Sequence, residues 1–343
     1  MPARRPTSTR EPRHDSGARG WSNMWAFLPG MLLGFKSARL EAKYCEGRTR
    51  EYFFRVDQWA TLFRAGVPLL LAFRGATNFE GEGPGLHQRI IVAGAAAFML
   101  FVGWMAYSQG EWAVRLREPL AVFLRVTVIP LTVITSFQDT MRLSSPPNWI
   151  NFLLCSWLVT GLSVASTFPV AMPMHFKHHV PVTFAFVWLM LTFQVSQFCQ
   201  VVEGRSDMHD YVLGSWRALS ARAWNILSAV YIMDAHDATQ PPIYSACNHL
   251  YTFLLLYFGL ALPTYGVWAL ERQSRAFFLS EQRQEGTLTK AESQRESQQL
   301  SLTRAAVLMH CGLLAVLYAV GWEATAWWLV GGVEQRLVSH WEV

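Results

Sequence analysis

The chain has 343 residues, of which 52% are hydrophobic and only 15% charged, with 15 Trp and 22 Phe against 29 Lys and Arg. Soluble domains carry about a quarter charged residues, so this composition excludes an ordinary soluble fold. A net charge of +5 could suit nucleic acid, but the basic residues are not gathered on one surface with interleaved aromatics, and no nucleic-acid partner is expected.

Residues 1–55 read as a cytosolic tail. Its first twenty residues are rich in Arg, Pro, Ser and Gly, which predicts disorder, and they lack the apolar core of a secretory signal. Residues 21–35 form an aromatic segment too short to span, suited to lying along the inner surface.

A spanning helix needs about 20 apolar residues. Six segments qualify across residues 56–270: Val56–Phe73, Ile90–Tyr107, Pro119–Phe137, Trp149–Met174, Val180–Val202 and His249–Leu270. The fold class is therefore an all-α polytopic integral membrane bundle with six core spans. Within 203–248, Val212, Trp216, Leu219, Ala223, Ile226 and Val230 recur at helical spacing with Arg217, Arg222 and Asn225 opposite. This periodicity predicts an amphipathic helix over 211–233 in the outer interface. Residues 271–304 are polar, with an i, i+4 pair at Glu271 and Arg275, a break at Gly286 and a capping box from Thr289; they read as a cytosolic helical linker. A seventh span follows at 305–332, leaving an outer tail at 333–343.

Short cytoplasmic segments are enriched in Lys and Arg. With this topology twenty of them fall on the side of the N-terminus and of 271–304, and six on the other. The N-terminus is therefore placed in the cytosol, and the host as the plasma membrane or another membrane of the secretory route.

Five cysteines without a CxxC pair indicate neither a disulfide framework nor a zinc ribbon. Cys155, Cys199 and Cys311 sit in apolar runs and read as buried small hydrophobes. Arg64 and Arg125 lie inside the first and third spans and Glu323 inside the seventh. Such intramembrane charges are functional candidates, although Arg64, seven residues beyond Asp57, could snorkel to an interface. Gln194 and Gln197 are expected to bridge helices. His175, His178 and His179 form an HxxHH box between the fourth and fifth spans, and imidazoles held at helix ends suit iron or zinc. The box resembles one of those in membrane di-iron lipid desaturases and hydroxylases, which use several; the other histidines form none. No GxxxxGK[ST], GxGxxG or GxSxG motif occurs, so no conventional active site is visible.

The flanks of the six-span unit carry a further pattern: Phe35-Lys36-Ser37-Ala38-Arg39-Leu40-Glu41-Ala42-Lys43-Tyr44 before the first span, with Asp57 about a dozen residues on, and Leu270-Glu271-Arg272-Gln273-Ser274-Arg275-Ala276-Phe277-Phe278 after the sixth. Over residues 35–286 this framing resembles the six-helix membrane anchor of class III adenylyl and guanylyl cyclases and of some diguanylate cyclases. Phe35, Leu40, Glu41, Tyr44, Glu271, Arg272, Arg275 and Phe278 match, and Lys36 replaces the usual acidic residue. Residues 271–304 are too few for a cyclase fold, so the resemblance implies a sensor or regulatory module without the catalytic domain. Glu41, Tyr44, Glu271, Arg272, Arg275 and Phe278 would then couple membrane movement to a cytosolic partner or a second copy of the chain, and no cofactor is expected. The alternatives from other classes are a transporter or channel for a small anion, using Arg64 and Arg125, and an iron-dependent lipid oxidase using the three histidines.

Overall fold

The computed structural model describes residues 33–35, 37–77, 86–136, 141, 148–230, 241–286 and 304–331. The expected disordered tail, most of the 21–35 segment, the Thr289 capping box, residues 231–233 and the 333–343 tail lie outside them. Every regular element among the described residues is helical.

α1 (Ala38–Arg48) starts where the Ser37 side chain accepts from the Leu40 N–H, and a π-helical turn, Thr49–Phe53, leads without a break into α2 (Phe54–Thr77). The leading segment and first span are thus one continuous helix. α3 (Leu86–Ser108) packs along α2. The two approach so closely that a Cβ on Gly103 would collide with the Thr61 side chain.

The third span begins earlier than its hydropathy suggests. α4 (Glu111–Phe123), a π turn (Leu124–Val128) and α5 (Ile129–Thr135) run on from Gly110, so Arg115 and Arg117 belong to the helix and not to a connection. The fourth is not one straight helix. α6 (Trp149–Val159), capped by the Asn148 side chain on the Asn151 N–H, and α7 (Leu162–Ala171) meet at a 72° bend. Gly161 makes the bend, because its φ of 75° lies in the left-handed region that side chains with a Cβ avoid. A Cβ there would also sit 2.6 Å from Met190 Sδ.

α8 (Phe176–Met190), a π turn (Leu191–Val195) and α9 (Ser196–Glu203) make the fifth expected span. After a short 3-10 turn, Ser206–Met208, comes α10 (His209–Val230). Its apolar face is the one periodicity predicts: Val212, Trp216 and Ala223 are buried, while Arg217, Arg222 and Asn225 are exposed. That face packs on the bundle. Trp216 donates to His249 Nδ1 at 2.9 Å, and the Tyr318 hydroxyl donates to the Leu219 carbonyl at 3.3 Å.

α11 (Ile243–Leu254), a π segment (Leu255–Ala261) and α12 (Leu262–Gln284) form one helical run from 243 to 284, so the sixth span and the polar helix after it are continuous. The run ends at Gly286, which adopts φ 70° and serves as a left-handed stop. α13 (Arg304–Ala326) packs antiparallel to it: His249 meets the Trp322 carbonyl, Tyr257 the Leu314 carbonyl, and Tyr265 meets His310.

Five helical segments among the described residues are long and apolar enough to cross a membrane, and the bent α6–α7 pair makes a sixth. Cys199 and Cys247 are joined in a disulfide that ties α9 to α11. This corrects the expectation of scattered free cysteines: two residues 48 apart in sequence meet because α9 and α11 pack against each other across the intervening α10. Cys155 is buried, as expected, with its thiol 3.5 Å from Met141 Sδ, but Cys311 is exposed.

Candidate functional site

The flanking residues converge at the end of the bundle opposite the disulfide. Arg275 on α12 reaches α1 and holds both oxygens of Glu41, with Nη1 to Oε2 at 2.6 Å and Nη2 to Oε1 at 2.8 Å. Its Nε and Nη2 also donate to Glu271 Oε1, at 3.1 and 2.8 Å. Fork-to-fork geometry of this kind is the strong form of an ion pair. Glu41 accepts in addition from the Phe35 N–H, and Glu271 Oε2 from the Phe176 N–H at 2.6 Å, an unpaired backbone donor at the start of α8.

An aromatic cage surrounds the pair. The Arg275 guanidinium lies 4.3 Å from the Tyr44 ring centre and 4.9 Å from that of Phe35, and Phe278 packs against both rings. Arg48 donates to the Tyr44 hydroxyl at 3.1 Å. Lys43 donates to Gln282 at 2.6 Å, a second bond between α1 and α12. Of the six expected coupling residues, Glu41, Tyr44, Glu271, Arg275 and Phe278 therefore form one clamp. Arg272 points elsewhere, over the Trp268 ring at 5.1 Å.

A second cluster lies deeper. Asp57, fully buried, accepts from Arg64 Nη2 at 3.1 Å through Oδ1 and from Arg117 Nε at 2.9 Å through Oδ2. Arg64 is thus held back toward the first turn of α2 rather than snorkelling, and both guanidinium groups share one carboxylate. Arg117 also meets Glu118 Oε1 at 3.4 Å and stacks on Phe53 at 4.4 Å. Glu118 Oε1 accepts the His175 N–H at 3.3 Å. The two clusters are therefore linked through the His175–Phe176 backbone. A continuous polar line runs from Glu41 through Arg275, Glu271, the start of α8, Glu118, Arg117 and Asp57 to Arg64.

Arg117, Glu118 and Arg48 are not among the sequence candidates, and Asp57 enters there only as a position in the leading flank pattern and a marker for Arg64. With the third span expected to start at Pro119, Arg117 falls in the connection before it. The signal that could have placed it is the helix start itself: Gly110 followed by Glu111 and Trp112, an acidic first turn ahead of an apolar run.

The three histidines are not gathered. His175 is buried between the Tyr44 and Phe53 rings, His179 is buried against Arg125 Nη1 at 3.2 Å, and His178 is half-buried. No group of three or more His, Cys, Asp or Glu positioned for a metal occurs among the described residues. Arg64, Arg125 and Glu323 do not share a cavity either. Arg64 lines one of about 180 Å³; Arg125 lies 5.7 Å from the ring of Phe168, another of its lining residues; Glu323 is exposed on α13. The expected helix-bridging glutamines are not seen as such. Gln194 is fully buried with neither amide atom bonded to protein, and Gln197 is exposed.

Two groups of the clamp region make it acid-sensitive. Burial alone would raise the Glu41 carboxyl, but the Arg275 and Phe35 hydrogen bonds and the Arg275 charge outweigh it and hold it at about 2. Burial, with Arg48 and Arg117 adding repulsion, pushes His175 down to about 3. Both groups bind fewer protons folded than unfolded, so each contributes stability that is lost as pH falls. His175 begins to cost stability below its ordinary 6.5, and Glu41 below its ordinary 4.5. Thermal unfolding in detergent is expected to fall from pH 6.5 downward and more steeply below 4.5, and His175→Asn should flatten only the upper limb.

No protein-family model matches the chain, and neither does a curated protein or a solved structure.

Proposed function

We propose that the chain is a non-enzymatic multi-pass membrane module of the sensor type, in which a change within the bundle or at its outer face is passed to the cytosol through the helix that leaves the sixth span. The observation that carries this reading is the two-oxygen grip of Arg275 on Glu41, which joins the last helix of the six-span unit to the first. The run from 243 to 284 has no break, so displacement of its membrane part is transmitted to Arg275. The polar line to Arg64 supplies a second input.

On this reading α2 and the bent pair count as one span each, giving seven, and the clamp lies on the cytosolic side with the Lys- and Arg-rich flanks. The disulfide then falls on the extracytosolic side, where oxidising conditions allow it, in keeping with the plasma membrane or a secretory-route membrane. The surface between α1 and α12, lined by Glu46, Arg50, Glu281 and Glu285, is where a cytosolic partner or a second copy would sense a change.

Spin labels at positions 46 and 281, in a background with Cys45 and Cys311 changed to Ser, test the coupling. Asp57→Asn, eleven residues along the same continuous helix from the label at 46, is expected to broaden or lengthen the inter-label distance; an unchanged distribution in a folded variant would remove this reading. The second reading, a path for a small anion, is favoured by Arg64 at the cavity wall. Salt-sensitive flux in liposomes, reduced by Arg125→Gln, would support it over a sensor.

A further inference from the structure

The groove between α1 and α12 has a volume of about 450 Å³. Lys43, Glu46, Arg48, Arg50 and Glu51 line one wall, and Phe277, Phe278, Glu281 and Glu285 the other. Its three cations are already engaged. Lys43 reaches Gln282 and Glu285, Arg50 reaches Glu46 and Glu111, and Arg48 lies over the Tyr44, Tyr52 and Phe53 rings and donates to the Tyr44 hydroxyl. Two of its carboxylates are not: the Glu51 and Glu281 side chains are exposed and unbonded among the described residues. Groups bonded to the lining deepen the imbalance. With Glu111 beside Arg50, and with Glu41, Glu271 and Arg275 behind Tyr44, the groove and its bonded neighbours carry seven carboxylates against four cations. Arg39, Arg55 and Arg283 belong to the same helical runs but do not line it. The groove is an acidic slot at an end of the molecule otherwise rich in Lys and Arg.

Phe277 adds to the recognition. Its ring is 64% exposed at the groove wall, and it is the i, i+4 neighbour of Glu281 on α12. A free carboxylate beside an exposed ring face suits a guanidinium, which pairs with planar carboxylates and stacks on aromatic faces. The chain supplies such groups next to the slot. Residues 1–32 lie outside the described residues, and the chain enters them at Leu33, with Phe35 packed on Tyr44 and Phe278, which both line the groove. The first twenty residues carry Arg4, Arg5, Arg10, Arg13 and Arg19, no Lys, and only Glu11 and Asp15 as acids. Reach is ample. The fourteen residues from Arg19 to Leu33 can extend to about 46 Å, whereas Tyr44 and Glu51 are separated by only about 10 Å of helix.

We infer that the arginines of residues 1–20 dock in this groove, with guanidinium groups on Glu51 and Glu281 and against the Phe277 ring. The chain thereby covers its own α1–α12 surface, and a partner that uses this surface must displace the tail. Tethering gives the tail a local concentration of about millimolar order, so individually weak contacts are enough to hold it. The regulatory consequence rests on the sensor reading, and the docking does not.

The test titrates a fluorescent peptide of residues 1–20 against the full chain in phosphatidylcholine nanodiscs, which offer no anionic lipid to a basic peptide. Two forms are compared: the wild type, and a full-length variant with Arg4, Arg5, Arg10, Arg13 and Arg19 all changed to Gln. The variant, whose own tail no longer competes, is expected to bind the peptide saturably and about tenfold more tightly than the wild type. Adding Glu51→Gln and Glu281→Gln to the variant should weaken binding about tenfold, by removing the charge-assisted pairs; both side chains are exposed and unbonded, so the fold should survive. A peptide with Lys at its five Arg positions should bind more weakly, because an ammonium lacks the planar fork and its stacking. Equal binding by wild type and variant, or binding that the two Glu changes leave unaltered, would overturn the docking. So would a peptide that binds only after phosphatidylglycerol is added, which would assign the tail to the lipid surface. Peptide binding reads the groove directly and the spin-label distances read the coupling, so either can fail without the other.

Discussion

Asp57→Asn is expected to be the most damaging single substitution in the protein. The wild-type carboxylate is completely buried and is shared by Arg64 and Arg117, both at least 95% buried. Asn keeps the shape and removes the charge, leaving Arg64 without a counter-ion and Arg117 with only the 3.4 Å contact to Glu118. Breaking a buried pair by removing one partner costs about 3–5 kcal/mol, which is a large part of the 5–15 kcal/mol that holds a typical fold together. The monodisperse fraction in detergent size-exclusion chromatography should fall several-fold. Asp57→Leu combined with Arg64→Met and Arg117→Met should restore it, because apolar replacement of a whole buried cluster is often neutral or stabilising. A well-behaved Asp57→Asn protein would show that water or lipid reaches the site and replaces the carboxylate.

Arg275→Gln should release α1 from α12. Arg275 joins two carboxylates at once, and Gln cannot satisfy both; Glu271 would keep the Phe176 N–H, and Glu41 the Phe35 N–H and the weak Cys45 thiol donor. A loss of about 3 kcal/mol is expected, at the lower end for buried pairs because the Glu41 side chain is 20% exposed. Glu41→Gln should cost less, and the double variant should cost clearly less than the sum. A coupling energy of roughly 2 kcal/mol from thermal unfolding would fit two side chains in direct contact. Additive effects would mean that the two helices are held by Lys43, Gln282 and the aromatic cage instead.

Much of the architecture is legible in the sequence because membrane spans announce themselves by composition. The apolar face of α10 is equally plain, since Val212, Trp216 and Ala223 recur at a period that has no other use. The clamp was legible only as a pattern of residues at two flanks; that Arg275 reaches Glu41 depends on a tertiary approach across 234 positions. The deeper cluster was hidden for a different reason. Charged residues at a span boundary read as interface, and hydropathy could not tell that α4 starts at Glu111 and turns Arg117 inward. The Gly161 bend, the π turns and the Cys199–Cys247 bond leave no periodic trace, because each is a local departure from periodicity or a meeting of distant residues.

On the sensor reading, the unbroken run from residue 243 to 284 would act as a lever arm. Cys247, tied to α9, fixes its fulcrum near one end. Arg275 lies 28 residues further on, about 42 Å at helical rise. A tilt of only about 5° about that fulcrum would swing Arg275 by about 4 Å, more than the length of either bond it makes to Glu41. The leading helix must therefore follow the swing or let go, which turns a small angular change in the bilayer into a discrete choice at its surface.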